Sequence, residues 1–181
     1  MRYTKDEMLK MENEKKNSKK TVDRLVMDEL LEMGFSYNSI GTHYLHESIA
    51  FSTRMRLEEF ANVNNFCQAI GSKVCKKYKV GTYQYANNIE LAIERAFETG
   101  NVNYLLETFR SSYDKRKMKV NKNTFIMTVR RKIMDALEAQ ETHNAKQLRL
   151  IIQGSVEGIT DCNLLKGICN IVLSVGNGEL I

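Results

Sequence analysis

The 181-residue sequence contains no proline and no tryptophan. At an ordinary usage of roughly 5%, about nine prolines would be expected. Their absence excludes collagen-like repeats, polyproline II ligands and stiff proline linkers, and it leaves helices uninterrupted. A genome rich in A·T pairs would also thin out proline and tryptophan, so base composition competes with helical architecture as the cause. The four cysteines, Cys67, Cys75, Cys162 and Cys169, form no CxxC pair and no dense framework, which excludes a disulfide scaffold. No apolar run approaches the ~18 residues of a membrane span, and the polar start Met1-Arg2-Tyr3-Thr4-Lys5-Asp6 carries no secretory signal. The expectation is a cytoplasmic protein with no membrane partner, whose reduced cysteines fill core or interface space.

What is present is 43% hydrophobic and 27% charged residues, enough for one domain with a real core. The formal charge is +5 and the pI about 9.0, which permits contact with nucleic acid. The charge is unevenly placed. Residues 110–132 hold nine basic side chains against the single acid Asp114.

The periodicity predicts an all-α chain in three parts: a polar tail over 1–20, a bundle over 21–140 and a helical appendage over 141–181. Val22, Leu25, Val26, Leu30 and Met33 recur at helical spacing, with Gly34 as the residue after the helix. A second helix begins at Gly41 and shares Tyr44, Leu45, Ser48 and Ile49 on one face. A third covers Val63–Ile70 and a separate short one Ser72–Tyr78. Gly81 permits a turn there and Thr82 caps the next helix, Tyr83–Thr99, with Tyr85, Ile89, Ala92, Ile93, Ala96 and Phe97 inward. Further helices are expected at Val102–Phe109 and, capped by Asn123-Thr124, through about Glu138. Two short helices carry the apolar clusters Leu148–Ile152 and Leu164–Leu173.

A short helix, a tight turn and a longer helix with lysines beside the turn give the outline of a helix-turn-helix. That outline alone also fits ordinary helical bundles, and lysine clusters are usually solvated faces.

Other motifs point away from catalysis. His43 and His46 have a helical spacing that can hold metal, but no ligand set accompanies them, so they read as surface or packing residues. The glycines of Gly154-Ser155-Val156-Glu157-Gly158 and Gly176-Asn177-Gly178 read as loop glycines and lack the lysine of a P-loop. No enzyme activity, cofactor or metal is expected.

Three ordered blocks resemble a known family. Gly34, a six-residue gap and Gly41-Thr42-His43-Tyr44-Leu45-His46-Glu47-Ser48-Ile49 form the first. Lys76-Lys77-Tyr78 with Ala92-Ile93-Glu94-Arg95-Ala96-Phe97 and Gly100-Asn101 form the second, and Asn123-Thr124-Phe125-Ile126 with Val129 and Lys132-Ile133 the third. Together they resemble the C-terminal DNA-binding effector domain of the sporulation initiation response regulator of spore-forming Firmicutes.

The resemblance implies a six-helix bundle, a recognition helix at about 83–99 in the DNA major groove, and a sporulation-linked transcriptional regulator. The implied partners are double-stranded DNA and RNA polymerase. It places base reading on Tyr83, Gln84, Asn87 and Asn88. Phosphate contacts fall to Lys73, Lys76, Lys77, Lys79, Thr82, Arg116, Lys117, Lys119 and Lys122. Tyr83 has packing on a neighbouring helix as an equal alternative, and Asn88 is expected to support packing more than reading. Only some twenty polar residues precede the effector-like region, so no phosphorylation switch is expected in cis.

Family members usually carry arginine where this chain has Gln84, Asn87 and Glu90. Gln and Asn pair bidentately with adenine where Arg pairs with guanine, so an altered target is expected. The alternative is a protein-interaction module that kept the fold, lost operator reading and binds RNA polymerase or the full-length regulator. A homodimer through residues 142–181 is a further expectation.

Overall fold

A computed structural model describes residues 21–113 and 120–157. Among these the chain is all helical: α1 over 21–32, α2 Ile40–Arg54, a 3-10 turn Leu57–Glu59, α3 Val63–Tyr78, α4 Thr82–Thr99, α5 Val102–Thr108 and α6 Lys122–Glu157. Six α-helices and no strand match the expected class. Two compact units divide the chain, Met1–Asp135 and Ala136–Ile181.

Helix α1 buries Val22, Val26, Leu30 and Met33, the stripe read from spacing. It ends in a Schellman motif, with Phe35 N–H donating to Leu30 O at 3.0 Å and Gly34 N–H to Leu31 O at 2.9 Å. Gly34 has φ +87°, and a Cβ there would lie 2.5 Å from Gly100 Cα. Asn101 N–H donates to Met33 O at 3.1 Å, so the end of α1 is joined backbone to backbone to the α4–α5 turn.

Two aromatic groups hold α4. Near its start Tyr85 lies 6.0 Å from Tyr44 of α2, whose ring meets Tyr78 of α3 edge-on at 4.9 Å. Near its end Phe97 lies 6.2 Å from Phe109, which stacks on Phe125 of α6 at 4.6 Å. All six residues of the expected α4 stripe are buried. Each large apolar side chain so buried contributes about 1.5–3 kcal/mol, so the inner side of α4 is firmly held.

Polar groups finish the joints. Arg130 of α6 donates from Nε to Ser52 O at 2.8 Å and from Nη2 to Met55 O at 3.5 Å, serving carbonyls at the end of α2 that have no intrahelical donor. Lys132 Nζ donates to Glu29 Oε1 at 2.8 Å and bonds to the Tyr104 hydroxyl, linking α6 to α1 and α5. Burial of the Lys132 ammonium works against its charge, but its hydrogen bonds to Glu29 and Tyr104 outweigh that and hold its pKa above the ordinary lysine value.

Several expectations need correction. The break between Val63–Ile70 and Ser72–Tyr78 does not exist: α3 is continuous. Gly71 is there for packing, since a Cβ would meet the Tyr85 ring at 3.1 Å. In the following turn Lys79 adopts the left-handed conformation, φ 55° and ψ 43°, whereas Gly81 is extended. Thr82 does not cap α4; it is its first residue, and Gly81 is the N-cap without a side-chain bond. Asn121, not Asn123-Thr124, caps α6, its Oδ1 accepting from Asn123 N–H at 2.9 Å. The helix runs past Glu138 to Glu157, taking in Leu148–Ile152 and the supposed loop residues 154–157. Leu164–Leu173, Gly158, Gly176, Gly178, Cys162, Cys169 and the tail over 1–20 lie outside the described residues.

Candidate nucleic-acid interface

Helices α3 and α4 are joined by only Lys79, Val80 and Gly81, the connection length of a helix-turn-helix. The left-handed Lys79 makes the reversal, with Val80 N–H donating to Cys75 O at 3.0 Å. A lysine in that conformation holds its charged head at the corner of the turn, where it stays exposed.

The outer side of α4 is polar. Tyr83 is 84% exposed, which overturns packing on a neighbouring helix. Gln84, Asn87 and Glu90 are exposed as well. By the 3.6-residue period, Gln84, Asn87, Leu91 and Arg95 lie along one side of the helix. Asn88 is turned inward from that line and only partly exposed, and its Nδ2 donates to Gln84 O at 2.8 Å. The carbonyl of Asn88 comes so close to α2 that a Cβ on Gly41 would lie 2.1 Å from it. Thus the structure groups Tyr83, Gln84 and Asn87, and gives Asn88 a packing position.

The expected phosphate contacts separate into groups. Lys73, Lys76, Lys79 and Thr82 are exposed around the turn, with Lys73 Nζ 3.4 Å from Met55 Sδ. Lys77 is paired with Glu47 of α2, a partner thirty residues away in sequence. Lys122 Nζ stands 5.4 Å from the Tyr85 ring centroid, so part of its charge faces the α3–α4 packing. Burial raises the thiol pKa of Cys67 and Cys75 on that side, with Lys122 opposing. Both cysteines are buried and unpaired. Arg116, Lys117 and Lys119 lie outside the described residues. Of the nine basic residues in 110–132, Arg130 and Lys132 serve the fold.

The histidines take part in packing: His46 Nε2 lies 2.9 Å from Asp23 O and the His43 ring meets Tyr37 edge-on at 5.5 Å. Among the described residues no cluster of three or more metal-ligating side chains occurs, and no helix is long and apolar enough to cross a membrane. Sequence reasoning missed Glu47 as the partner of Lys77, Arg130 as the closure of α2, and Thr42 and Arg95, which line a cavity beside α4. The one signal for Arg95 was its i+4 spacing from Leu91.

A search of curated proteins and a search of solved structures each gave no significant match. The family model described as "Sporulation initiation factor Spo0A C terminal" matches residues 26–133, from within α1 to the buried part of α6. That match covers more than half of the chain and includes all three sequence blocks, the turn and α4. The chain therefore belongs to the sporulation initiation factor Spo0A C-terminal family and carries its DNA-binding transcription-regulator domain.

Proposed function

We propose that the protein places α4 in the major groove of double-stranded DNA and reads a target in which A·T pairs stand where relatives with arginine read G·C. The observation that carries this is the exposed amide pair Gln84 and Asn87 at the start of a helix whose opposite side is completely buried. Each is able to pair bidentately with adenine, worth about 1–3 kcal/mol of discrimination. Tyr83 joins them at the groove, and Asn88 sets the pose of the helix against α2.

Lys73, Lys76, Lys79 and Thr82 grip phosphate around the turn, and the basic residues Arg116, Lys117, Lys119 and Lys122 supply the remaining phosphate contacts. Lys77 joins them only on leaving Glu47. Phosphate contacts set affinity and register, base contacts set sequence. The test is selection from a random duplex pool, followed by titration of the selected site at several salt concentrations. An enriched sequence with A·T pairs is expected, and Lys76→Ala should reduce the log–log salt slope by about 0.9. Failure to bind any duplex at low salt would refute the reading.

A second reading, a module that binds RNA polymerase or the full-length regulator, draws support from Leu91 and Glu90. Leu91 is 41% exposed on the reading side, and an apolar and an acidic residue there suit a protein surface better than phosphate. Recovery of a protein partner with no enriched DNA sequence would establish it. A homodimer through residues 142–181 is supported by Leu148 and Ile151, exposed and three residues apart on α6. Light scattering on Leu148→Lys/Ile151→Lys tests it, and an unchanged mass would remove it.

A further inference from the structure

Between the α1–α2 turn and the flank of α4 lies a cavity of about 440 Å³, within the roughly 300–1,000 Å³ range of small-molecule sites. Among the described residues, Arg95 is the only charged one on its wall, and no acid lines it. The cavity also meets the N-terminus of α2 at Ser39 and Ile40. There the first backbone bond is His43 N–H to Ser39 O at 3.2 Å. The amides of Ile40, Gly41 and Thr42 precede it and have no intrahelical acceptor. Ser39 provides no side-chain cap, and no acidic residue occupies the first turn. The positive end of this fifteen-residue helix is thus left uncompensated beside a guanidinium.

An independent observation concerns Thr42. It is completely buried, it lines this cavity, and its hydroxyl is the one buried side-chain polar atom among the described residues without a hydrogen-bond partner. Such a group destabilises a protein unless something meets it. Phe35, Ile40 and Leu91 add apolar wall beside these donors.

We propose that this cavity is the seat of a small organic anion. Its carboxylate or phosphate head is held by Arg95 and the first amides of α2, with Thr42 as an additional donor and the apolar wall covering its body. The proposal stands whether or not α4 reads DNA.

The test is an NMR titration of the full chain with inorganic phosphate and, separately, with acetate, at ionic strength held constant by chloride. Saturable shifts are expected at the amides of Ile40, Gly41 and Thr42 with at least one of the two anions. Which anion acts distinguishes a phosphate head from a carboxylate. Arg95→Gln should weaken the response on the order of tenfold, the loss of one charge-assisted bidentate contact, and Arg95→Lys should restore part of it.

Thr42→Val provides a readout of opposite sign. It should raise the melting temperature of the ligand-free protein while weakening the anion response severalfold. Shifts no larger than those of chloride, or midpoints unaltered in both Arg95→Gln and Thr42→Val, would overturn the proposal. Loss of duplex affinity in Arg95→Gln without any response to free anion would overturn it in favour of a DNA-backbone contact.

Discussion

Tyr85 joins α4 to α2, and replacing it with phenylalanine gives a pH-dependent outcome whose sign can be worked out. The side chain is 5% exposed, and its hydroxyl lies 2.8 Å from Ser48 Oγ. Ser48 donates its own proton to Tyr44 O at 2.7 Å, so Tyr85 is the donor to Ser48. Tyr85→Phe therefore orphans no donor, and near pH 8 it should cost only about 1 kcal/mol. At higher pH a second effect enters. Burial pushes the Tyr85 pKa from 10.0 up to about 12.

Below pH 10 the phenol is protonated whether the chain is folded or not, and the stabilisation is fully present. Above it the unfolded chain ionises first, and wild-type stability falls until the folded pKa is passed. At about pH 11, midway between the two values, the loss is about 1.4 kcal/mol, and it approaches about 2.7 kcal/mol beyond pH 12. Tyr85→Phe has no phenol there and escapes this loss. Urea unfolding followed by circular dichroism at both pH values should find wild type more stable near pH 8 and the order equal or reversed near pH 11. Other tyrosines and lysines titrate alike in both proteins and cancel in the difference. Two stability curves that remain parallel from pH 8 to 11 would refute the reasoning.

Gln84→Arg and Asn87→Arg should move base preference at the contacted pairs from adenine toward guanine by about 1–3 kcal/mol each, measured by competition between duplexes differing at one pair. Glu29→Gln should destabilise the fold by about 1 kcal/mol in urea, because Lys132 and Tyr104 lose a common partner. Since the Lys132 pKa is held above its ordinary value, this stabilisation is present below that value and disappears as pH rises through the folded one; the gap between Glu29→Gln and wild type should close at strongly alkaline pH. Gly81→Ser should raise the melting temperature slightly, because a Cβ at Gly81 meets nothing within 4 Å and a serine N-cap exceeds a glycine one by about a few tenths of a kcal/mol.

Much of the fold was legible because it depends on one-dimensional periodicity. The stripe from Tyr85 to Phe97 needed only the 3.6-residue repeat, and Gly34 announced its own left-handed turn. Gly71 misled because a glycine that admits a neighbouring ring looks the same in sequence as one that breaks a helix. Lys79 misled in the opposite sense, since a left-handed lysine leaves no mark in the sequence. The exposed side of α4 was legible through helix phase, and the reading role proposed for it comes from the family resemblance. The engagement of Lys77 by Glu47 was not, because it depends on how α2 lies against α3. Thr42 and Arg95 were hidden for the same reason: fifty-three residues separate them, and only the crossing of α2 and α4 brings both to one cavity.

That crossing has a consequence for kinship. At Gly41 the backbone of α2 touches the backbone of α4, and at Gly34 the end of α1 touches the α4–α5 turn at Gly100. Both contacts are set by main-chain atoms, so no compensating change of side-chain volume relieves a Cβ introduced at either. The two glycines behave as fixed marks on a ruler, seven positions apart, along which charge, polarity and even the exposed side chains of α4 are free to drift. Distant kin of this domain are better sought by that interval, followed by a glycine at the far end of α4, than by the chemistry of the helix itself.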